Sequence, residues 1–156
     1  MSRWTSFLTP PRLFAAAVVL PLVSVAAALV SQHVFDMQPC PWCVLQRAIF
    51  VAIALAALPG LLWRSALVRR LSAAVFGLLA ASGVAAALWQ HFVAASSTSC
   101  DLTLADRIMS GLGLDALLPE VFAAYASCAD AAVDLLGVPY EFYCLALYLL
   151  LAAAAV

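Results

Sequence analysis

Long apolar stretches separated by short polar segments dominate the chain. Four of them lie at about 13–31, 44–63, 71–93 and 139–156. A helix needs about 20 predominantly apolar residues to cross the hydrocarbon core of a bilayer. The fourth stretch is the shortest and would cross with little to spare. The pattern predicts an all-α membrane protein, a four-transmembrane-helix bundle that forms a single domain over residues 1–156.

The composition agrees with a bilayer environment. Of the 156 residues, 67% are hydrophobic and 10% are charged, whereas a soluble domain carries roughly 25% charged residues. The chain has no lysine and a net charge of −1. It therefore offers no basic surface for nucleic acid.

Charge placement predicts the orientation in the membrane. The arginines near the apolar stretches precede the first one or fill the connection between the second and third, as Arg3, Arg12, Arg64, Arg69 and Arg70. The carboxylates lie elsewhere, at Asp36 and from Asp101 to Glu141. By the positive-inside rule, both termini are cytoplasmic and the loops at about 32–43 and 94–138 lie on the outer side of the membrane.

The first apolar stretch has one alternative interpretation, a cleaved signal peptide with an arginine-bearing start and small residues near its end. Its apolar part exceeds the roughly 7–15 residues usual for that role. A retained helix is the expectation, and the orientation of the other helices is the same in either case.

The second outer loop is long and acidic. Its segment "LLPEVFAAYA" places Leu117, Leu118, Val121, Phe122 and Tyr125 at roughly helical spacing. This spacing predicts a short surface helix, lying on the membrane or packing on the bundle. The carboxylates of the loop are expected to form a solvated surface.

Five cysteines provide the candidate chemistry. Cys40 and Cys43 lie in the first outer loop, Cys100 and Cys128 in the second, and Cys144 within the fourth helix. Disulfides persist in oxidising compartments, and the C-x-x-C spacing favours a Cys40–Cys43 pair, which leaves Cys100 with Cys128. The alternatives are two purely structural disulfides, or a zinc site, which needs four ligands.

The surroundings of the C-x-x-C favour reactive thiols. Pro41 suits the first position of a helix, so Cys40 is expected at the cap and Cys43 in the first turn. The positive end of the helix dipole stabilises a thiolate there. Arg47 follows Cys43 by four residues and shares its helix face. A cation at this depth points to function, against the alternative that it extends to the interface.

Two segments carry a resemblance to a known family. "QHVFDMQPCPWCVLQR" before an apolar helix resembles the quinone-reducing loop of the disulfide bond formation protein B (DsbB) family. "SCDLTLADRI" and "SCADAAVDLLGVP" resemble the second cysteine pair of that family and its loop. The likeness covers nearly the whole chain.

The resemblance implies a multi-pass enzyme of the bacterial inner membrane. A Cys100–Cys128 disulfide would oxidise a periplasmic DsbA-like thiol oxidase, with Cys100 forming the mixed disulfide. Cys128 would then exchange with Cys40. Electrons would pass from Cys43 to ubiquinone or menaquinone, held by Cys43 with Arg47 and His91, and exchange with the membrane quinone pool. The sequence does not distinguish between the two quinones.

The chain also departs from the family pattern. Gln46 stands where an acid is expected, the spacing of His91 from Cys100 is loose, and Cys144 is an extra cysteine that is expected to serve packing. His91 has the alternative of an interfacial residue beside Trp89. The competing class of function is a non-enzymatic four-helix membrane subunit with two structural disulfides.

Overall fold

A computed structural model describes residues 9–96 and 102–156. Its long helices are α1 (Pro10–Phe35), α2 (Pro41–Leu62), α3 (Ala66–Phe92) and α7 (Tyr140–Ala154). Short helices α4 (Leu104–Leu112), α5 (Leu114–Leu117) and α6 (Pro119–Phe122) follow α3, together with strands β1 (Asp134–Leu135) and β2 (Val138–Pro139).

Three of the predicted membrane helices meet the length requirement. Among the described residues, α1, α2 and α3 are long and apolar enough to cross a bilayer, and α7 is a shorter apolar helix of 15 residues. At 1.5 Å per residue α7 is about 22 Å long, against a hydrocarbon core of about 30 Å. The chain is thus a helical membrane protein with three long helices and one short one.

The helix limits differ from the predicted ones at the charged ends. α1 is longer than predicted because Pro10 fits its first turn and because the helix continues until Asp36 adopts a left-handed conformation. α3 begins at Ala66, so Arg69 and Arg70 lie in the helix rather than in the preceding loop. Arginine is a good helix former, so a charge marks the end of the apolar stretch without ending the helix.

The helices are arranged so that α1 packs on α2, α2 on α3, and α3 on α7, while α1 and α7 make little contact. Two glycines permit close approach within this order. A Cβ at Gly60 would overlap the Phe14 ring, and one at Gly83 would overlap the Tyr148 ring. Small residues at helix contacts are usual in membranes. Because α1 and α7 make little contact, a gap remains between these two helices, and this gap is the seam.

The ends of α2 and α3 are joined by a side chain. The Ser72 hydroxyl accepts a hydrogen bond from the Gly60 N–H at 3.2 Å and donates to the Ala56 carbonyl. It therefore bridges two groups that are four residues apart in α2, next to Pro59. Insertion of a side chain beside a proline is a usual cause of helix bending.

The predicted loop helix is wrong in extent. Only one turn forms in that segment, α6, because Pro119 has no N–H with which to continue the preceding helix. The longer loop helix, α4, begins at a capping box between Thr103 and Asp106 and ends at Gly113, which has a φ of 66°. Hydrophobic periodicity does not indicate this helix.

Candidate active site

The Cys40–Cys43 pair lies at the N-terminus of α2. Cys40 is the N-cap, Pro41 occupies the first turn, and the Cys43 N–H donates to Cys40 Sγ at 3.3 Å. The two sulfur atoms are 2.9 Å apart as free thiols. The prediction that this helix starts at Pro41, with Cys40 at the cap and Cys43 in the first turn, is confirmed.

Cys128 joins this pair from the second loop. Its thiol is hydrogen bonded to the Cys40 thiol, and its side chain is buried. The loop is held there because the N–H groups of Tyr125 and Ala126 both donate to the Pro39 carbonyl, at 3.0 and 3.3 Å. Three thiols from two distant segments therefore lie in one cluster.

The contact between Cys128 and Cys40 shifts the pKa values of these two thiols in opposite directions. The hydrogen bond with Cys40 lowers the pKa of Cys128, and a backbone hydrogen bond at Trp42 lowers it further. The same bond with Cys128, the bond with Cys43 and burial raise the pKa of Cys40. In this reduced state Cys128 is therefore more readily ionised than Cys40, and the thiolate is the reactive form in exchange.

The Arg47 guanidinium lies one turn deeper along α2 and is buried, with 6% of the residue exposed. Nη1 donates to Gln32 Oε1 at 2.6 Å and to the Val121 carbonyl at 3.1 Å, and Nη2 donates to the Ala28 carbonyl at 3.4 Å. All three acceptors are neutral, so the positive charge is solvated without being cancelled. The side chain is thus held among protein groups rather than at the protein surface.

Two glutamines connect α2 and α3 beside Cys43. Gln46 Nε2 donates to Gln90 Oε1 at 2.6 Å, and Gln90 Nε2 donates to Cys43 Sγ at 3.3 Å. The first bond fixes the amide orientation of Gln90, so that its N–H group is directed at the sulfur. Among the residues that the structure describes, Gln46 Oε1 is buried without a hydrogen-bond partner, which leaves an acceptor at the site.

These groups surround a cavity of about 250 Å³ at the seam between α1 and α7. Its polar and ionisable wall contains Cys43, Arg47 and the two glutamines. The remaining lining residues come mainly from α1 and α7: Ser24, Val25, Ala27, Ala28, Phe50, Leu135, Tyr140, Glu141, Tyr143, Cys144 and Leu147. The site thus combines an apolar enclosure, a thiol and a cation.

A second cavity, of about 510 Å³, lies on the loop side of the same residues. Cys43, Arg47 and Tyr140 line both cavities. The second one also contains Asp36 and Asp130. Cys43 therefore lies between an apolar cavity among the helices and a more polar one under the loop.

Comparison with known proteins assigns the family. The family model described as "Disulfide bond formation protein DsbB" matches residues 10–156. The chain belongs to the DsbB family. It is 32% identical over 143 residues to disulfide bond formation protein B of Herminiimonas arsenicoxydans, covering 91% of this chain and 89% of that protein.

Two further DsbB proteins give the same picture. The protein of Aromatoleum aromaticum is 32% identical over 149 residues, with 90% of this chain and 89% of that protein covered. The protein of Stutzerimonas stutzeri is 30% identical over 133 residues, with 83% and 82% covered. With its long apolar helices, the chain is a membrane protein of disulfide bond formation. Forming a disulfide oxidises two thiols, so this family membership makes it a disulfide-generating oxidoreductase.

The structure brings four of the predicted residues together in this DsbB site. Cys40, Cys43, Arg47 and Cys128 are brought together, whereas Cys100 lies outside the described residues. Its pairing and its role remain predictions. Within residues 9–96 and 102–156, no three His, Cys, Asp or Glu side chains form a metal site.

His91 lies next to the cavity rather than in its lining. Its Nδ1 is 2.8 Å from Glu141 Oε1, and its ring contacts the rings of Phe92 and Phe142. Glu141 itself lines the cavity. His91 therefore contacts the cavity wall at Glu141.

Cys144 packs against the apolar core, as expected, and it also lines the cavity. Sequence reasoning missed Gln32, Gln90 and Glu141 as site residues. A signal was present for each, because a glutamine or a carboxylate within an apolar helix is costly unless it has a partner. The partners come from other helices, which a single sequence does not pair.

Proposed function

We propose that the protein reoxidises a periplasmic DsbA-like thiol oxidase and passes the electrons to a membrane quinone, ubiquinone or menaquinone. The observation that carries the proposal is the shared position of Cys43 and Arg47 in the wall of an apolar cavity at an open helix seam. The protein would act in the bacterial inner membrane. The net reaction converts a partner dithiol and a quinone into a partner disulfide and a quinol.

The thiol half of the reaction uses the loop cysteines. A Cys100–Cys128 disulfide accepts attack by the partner thiolate, forms a mixed disulfide at Cys100, and releases Cys128 as a thiolate. Cys128 then attacks Cys40 of the Cys40–Cys43 disulfide, and Cys43 leaves as a thiolate. The second thiolate of the partner closes the partner disulfide and releases Cys100, which attacks Cys128 and restores the Cys100–Cys128 disulfide. Cys40 leaves in that step, so Cys40 and Cys43 are both reduced. The contact of Cys128 with Cys40 supports this order.

The cavity suits the headgroup of a quinone. A quinone is a flat apolar ring with carbonyl acceptors, and it supplies a two-electron acceptor for the Cys40–Cys43 dithiol. Arg47 offers a buried cation for a carbonyl oxygen. Gln46 Oε1 is an acceptor without a partner in the described part of the chain, and it is suited to a hydroxyl of the reduced form. The seam between α1 and α7 provides an entrance on the lipid side.

Three side chains, those of Arg47, Gln90 and Gln46, favour the thiolate form of Cys43, the sulfur that donates the electrons. Arg47 stabilises negative charge, which arises first on Cys43 and then on the acceptor oxygen. Gln90 donates to Cys43 Sγ at 3.3 Å, and Gln46 fixes the orientation of Gln90. A hydrogen bond that is made before the charge arises requires no rearrangement during the reaction. The site is thus arranged for a thiolate at Cys43.

The competing hypothesis is a non-enzymatic membrane subunit with two structural disulfides. It accounts for paired cysteines, but it requires neither a cavity at Cys43 nor a buried arginine beside it. A structural pair also gains nothing from a third thiol hydrogen bonded to Cys40. These features favour the redox proposal.

Anaerobic mixing of the purified protein with quinone and a reduced DsbA-like protein tests the proposal. Quinone absorbance is expected to fall by one equivalent for each partner dithiol oxidised. Cys40→Ser and Cys43→Ser are expected to abolish this loss. Cys144→Ser is the matched thiol-to-hydroxyl control and is expected to keep the stoichiometry, because the relay does not use that sulfur.

The contrary results are equally specific. No loss of quinone with wild-type protein would favour the structural subunit. Loss of the stoichiometry in Cys144→Ser would show that the assignment of four redox cysteines and one additional cysteine is wrong.

A further inference from the structure

We propose that Glu141 donates a proton to the quinone and that His91 resupplies it. The inference rests on the proposed function and extends it to the protons of the reaction. It assigns to Glu141 a role that the sequence pattern did not indicate. It also changes the expected role of His91 from quinone contact to proton supply.

Glu141 is a buried residue in the wall of the cavity. It lies in the first turn of α7, is 7% exposed, and lines the cavity that contains Cys43 and Arg47. A carboxyl group is costly to bury beside an apolar cavity unless it has a partner. The other ionisable lining residues are Tyr140, Tyr143 and Cys144.

Glu141 is in direct contact with His91. Nδ1 of His91 and Oε1 of Glu141 are 2.8 Å apart, so a proton must lie between two atoms that otherwise repel through their lone pairs. The His91 side chain is 32% exposed, against 8% for the Glu141 side chain. The pair therefore leads from a partly exposed imidazole to a buried carboxyl group at the cavity.

The chemistry requires such a group. A quinone takes up two electrons and two protons to become a quinol, while the Cys40–Cys43 dithiol loses two of each and forms an S–S bond. Cys43 reacts as a thiolate, so its proton has left before the electrons move. Arginine is not deprotonated in proteins, so Arg47 supplies charge and no proton. Carboxyl and imidazole groups are usual proton carriers in catalysis.

The protons and electrons then balance. Glu141 gives its proton to a quinone oxygen as that oxygen becomes negative, and His91 returns a proton to the carboxylate. His91 recovers its own proton from the aqueous side, where the two thiol protons are released. The second quinone oxygen is protonated in the same way after Glu141 has been recharged.

Tyr140 is the competing donor because its side chain lines both cavities. Tyr143 is engaged as a donor to the Leu135 carbonyl at 2.8 Å. A purely structural role is the other competitor, since the pair also joins α3 to α7. Glu141→Gln separates that role from proton donation, because the amide keeps the shape and a hydrogen bond to His91.

The experiment compares the wild type with Glu141→Gln, Glu141→Asp and Tyr140→Phe. The readouts are kcat and KM for quinone, beside a single-turnover exchange of thiols with the reduced partner in the absence of quinone. General acids contribute roughly 10²–10⁴-fold, so Glu141→Gln is expected to lower kcat at least about 10²-fold with little change in KM or thiol exchange. Glu141→Asp is expected to recover part of kcat.

His91→Ala provides a second test. The variant is expected to slow quinone reduction, and added imidazole is expected to restore part of the rate because His91 is partly exposed. In the quinone-free protein, the ¹⁵N resonance of His91 Nδ1 is expected to shift in Glu141→Gln and to stay in Tyr140→Phe.

The outcomes separate this inference from the proposed function. Quinone reduction by the wild type with unchanged kcat in Glu141→Gln would overturn the inference and leave the function intact. A loss of kcat in Tyr140→Phe alone would overturn it in favour of the tyrosine. No quinone reduction by the wild type would overturn both.

Discussion

Arg47 combines a permanent charge with three neutral hydrogen-bond acceptors. Removing the guanidinium deletes the charge and leaves Gln32 Oε1 without its donor at 2.6 Å. A lysine retains the charge but lacks the planar group that reaches α1 and α6 together. The two substitutions therefore separate charge from geometry.

Arg47→Met is expected to weaken the use of quinone while thiol exchange with the partner stays near normal. A hydrogen bond to a charged group contributes about 1.5–3 kcal/mol, which corresponds to about 10- to 150-fold in affinity or rate. Arg47→Lys is expected to fall between wild type and Arg47→Met. Steady-state kinetics against quinone concentration, beside single-turnover oxidation of the partner without quinone, measure the two steps. Unchanged quinone kinetics in Arg47→Met would remove the cation from the chemistry.

The rate at which Cys128 is alkylated is expected to depend on pH. Because the hydrogen bond with Cys40 lowers the pKa of Cys128, its thiolate forms at a lower pH than that of an ordinary cysteine, about 8.5. Alkylation of Cys128 in the fully reduced, quinone-free protein is expected to rise with pH and to reach its midpoint below that value. Mass spectrometry of the Cys128 peptide measures the rate at each pH.

Cys40→Ala is the matched control for this titration. It removes the hydrogen-bond donor, so the midpoint for Cys128 is expected to move up toward the ordinary value. An identical midpoint in the variant and the wild type would show that Cys40 does not stabilise the Cys128 thiolate.

Among the elements, hydrophobic periodicity predicted the membrane helices but not the extent of the loop helices. Apolar runs specify α1, α2 and α3 because the bilayer imposes one length on every span. The loop has no such constraint. The spacing of Leu117, Val121 and Tyr125 is helical, but Pro119 interrupts it. The capping box of Thr103 and Asp106 marks α4 and could have been read from the sequence.

The β1–β2 hairpin is a second element that periodicity did not indicate, because its strands have two residues each. Leu136 and Gly137 form its turn, with φ values of 55° and 79°. Two positive φ values are typical of the type I′ turn, which favours Asn-Gly. Leucine is strained in this region, and the Leu136 side chain gains nothing in return because it is 93% exposed.

Leu136→Asn is therefore expected to stabilise the hairpin. Left-handed backbone costs an ordinary residue about 1–2 kcal/mol, and recovering about 1 kcal/mol of it slows local opening roughly fivefold. Hydrogen exchange of the hairpin amides measures this opening. Gly137→Ala is the opposite control and is expected to accelerate exchange. Faster exchange in Leu136→Asn would contradict the turn assignment.

At the scale of the whole molecule, the site depends on contacts that one sequence does not reveal. Cys43 and Arg47 were predictable together because they are four residues apart on one helix. The bonds from Gln90 to Cys43 and from His91 to Glu141 join residues 47 and 50 positions apart. Only packing of α3 against α2 and α7 creates them. The sequence therefore predicts the reactive groups better than the residues that adjust them.

α1 shows why the site needs every long helix. It contributes Ser24, Val25 and Ala28 to the cavity and Gln32 to Arg47. Cleavage after this segment would remove one wall and an acceptor of the buried cation. The architecture therefore favours a retained first helix over a signal peptide.

The arginines at one end of the bundle predict the orientation of the molecule in the membrane. Arg64 lies between α2 and α3, and Arg69 and Arg70 lie in the first turns of α3, at the end of the bundle opposite to Cys40. The positive-inside rule puts that end in the cytoplasm and the cysteine cluster in the periplasm. Ser65→Cys and Ser110→Cys are matched probes because both serines are exposed. In a background without native cysteines, a membrane-impermeant maleimide is expected to label Ser110→Cys in intact spheroplasts and Ser65→Cys only after permeabilisation. The reverse pattern would place the thiol cluster in the reducing cytoplasm, where its disulfides would not persist, and the proposed electron path from a periplasmic partner would have no entrance.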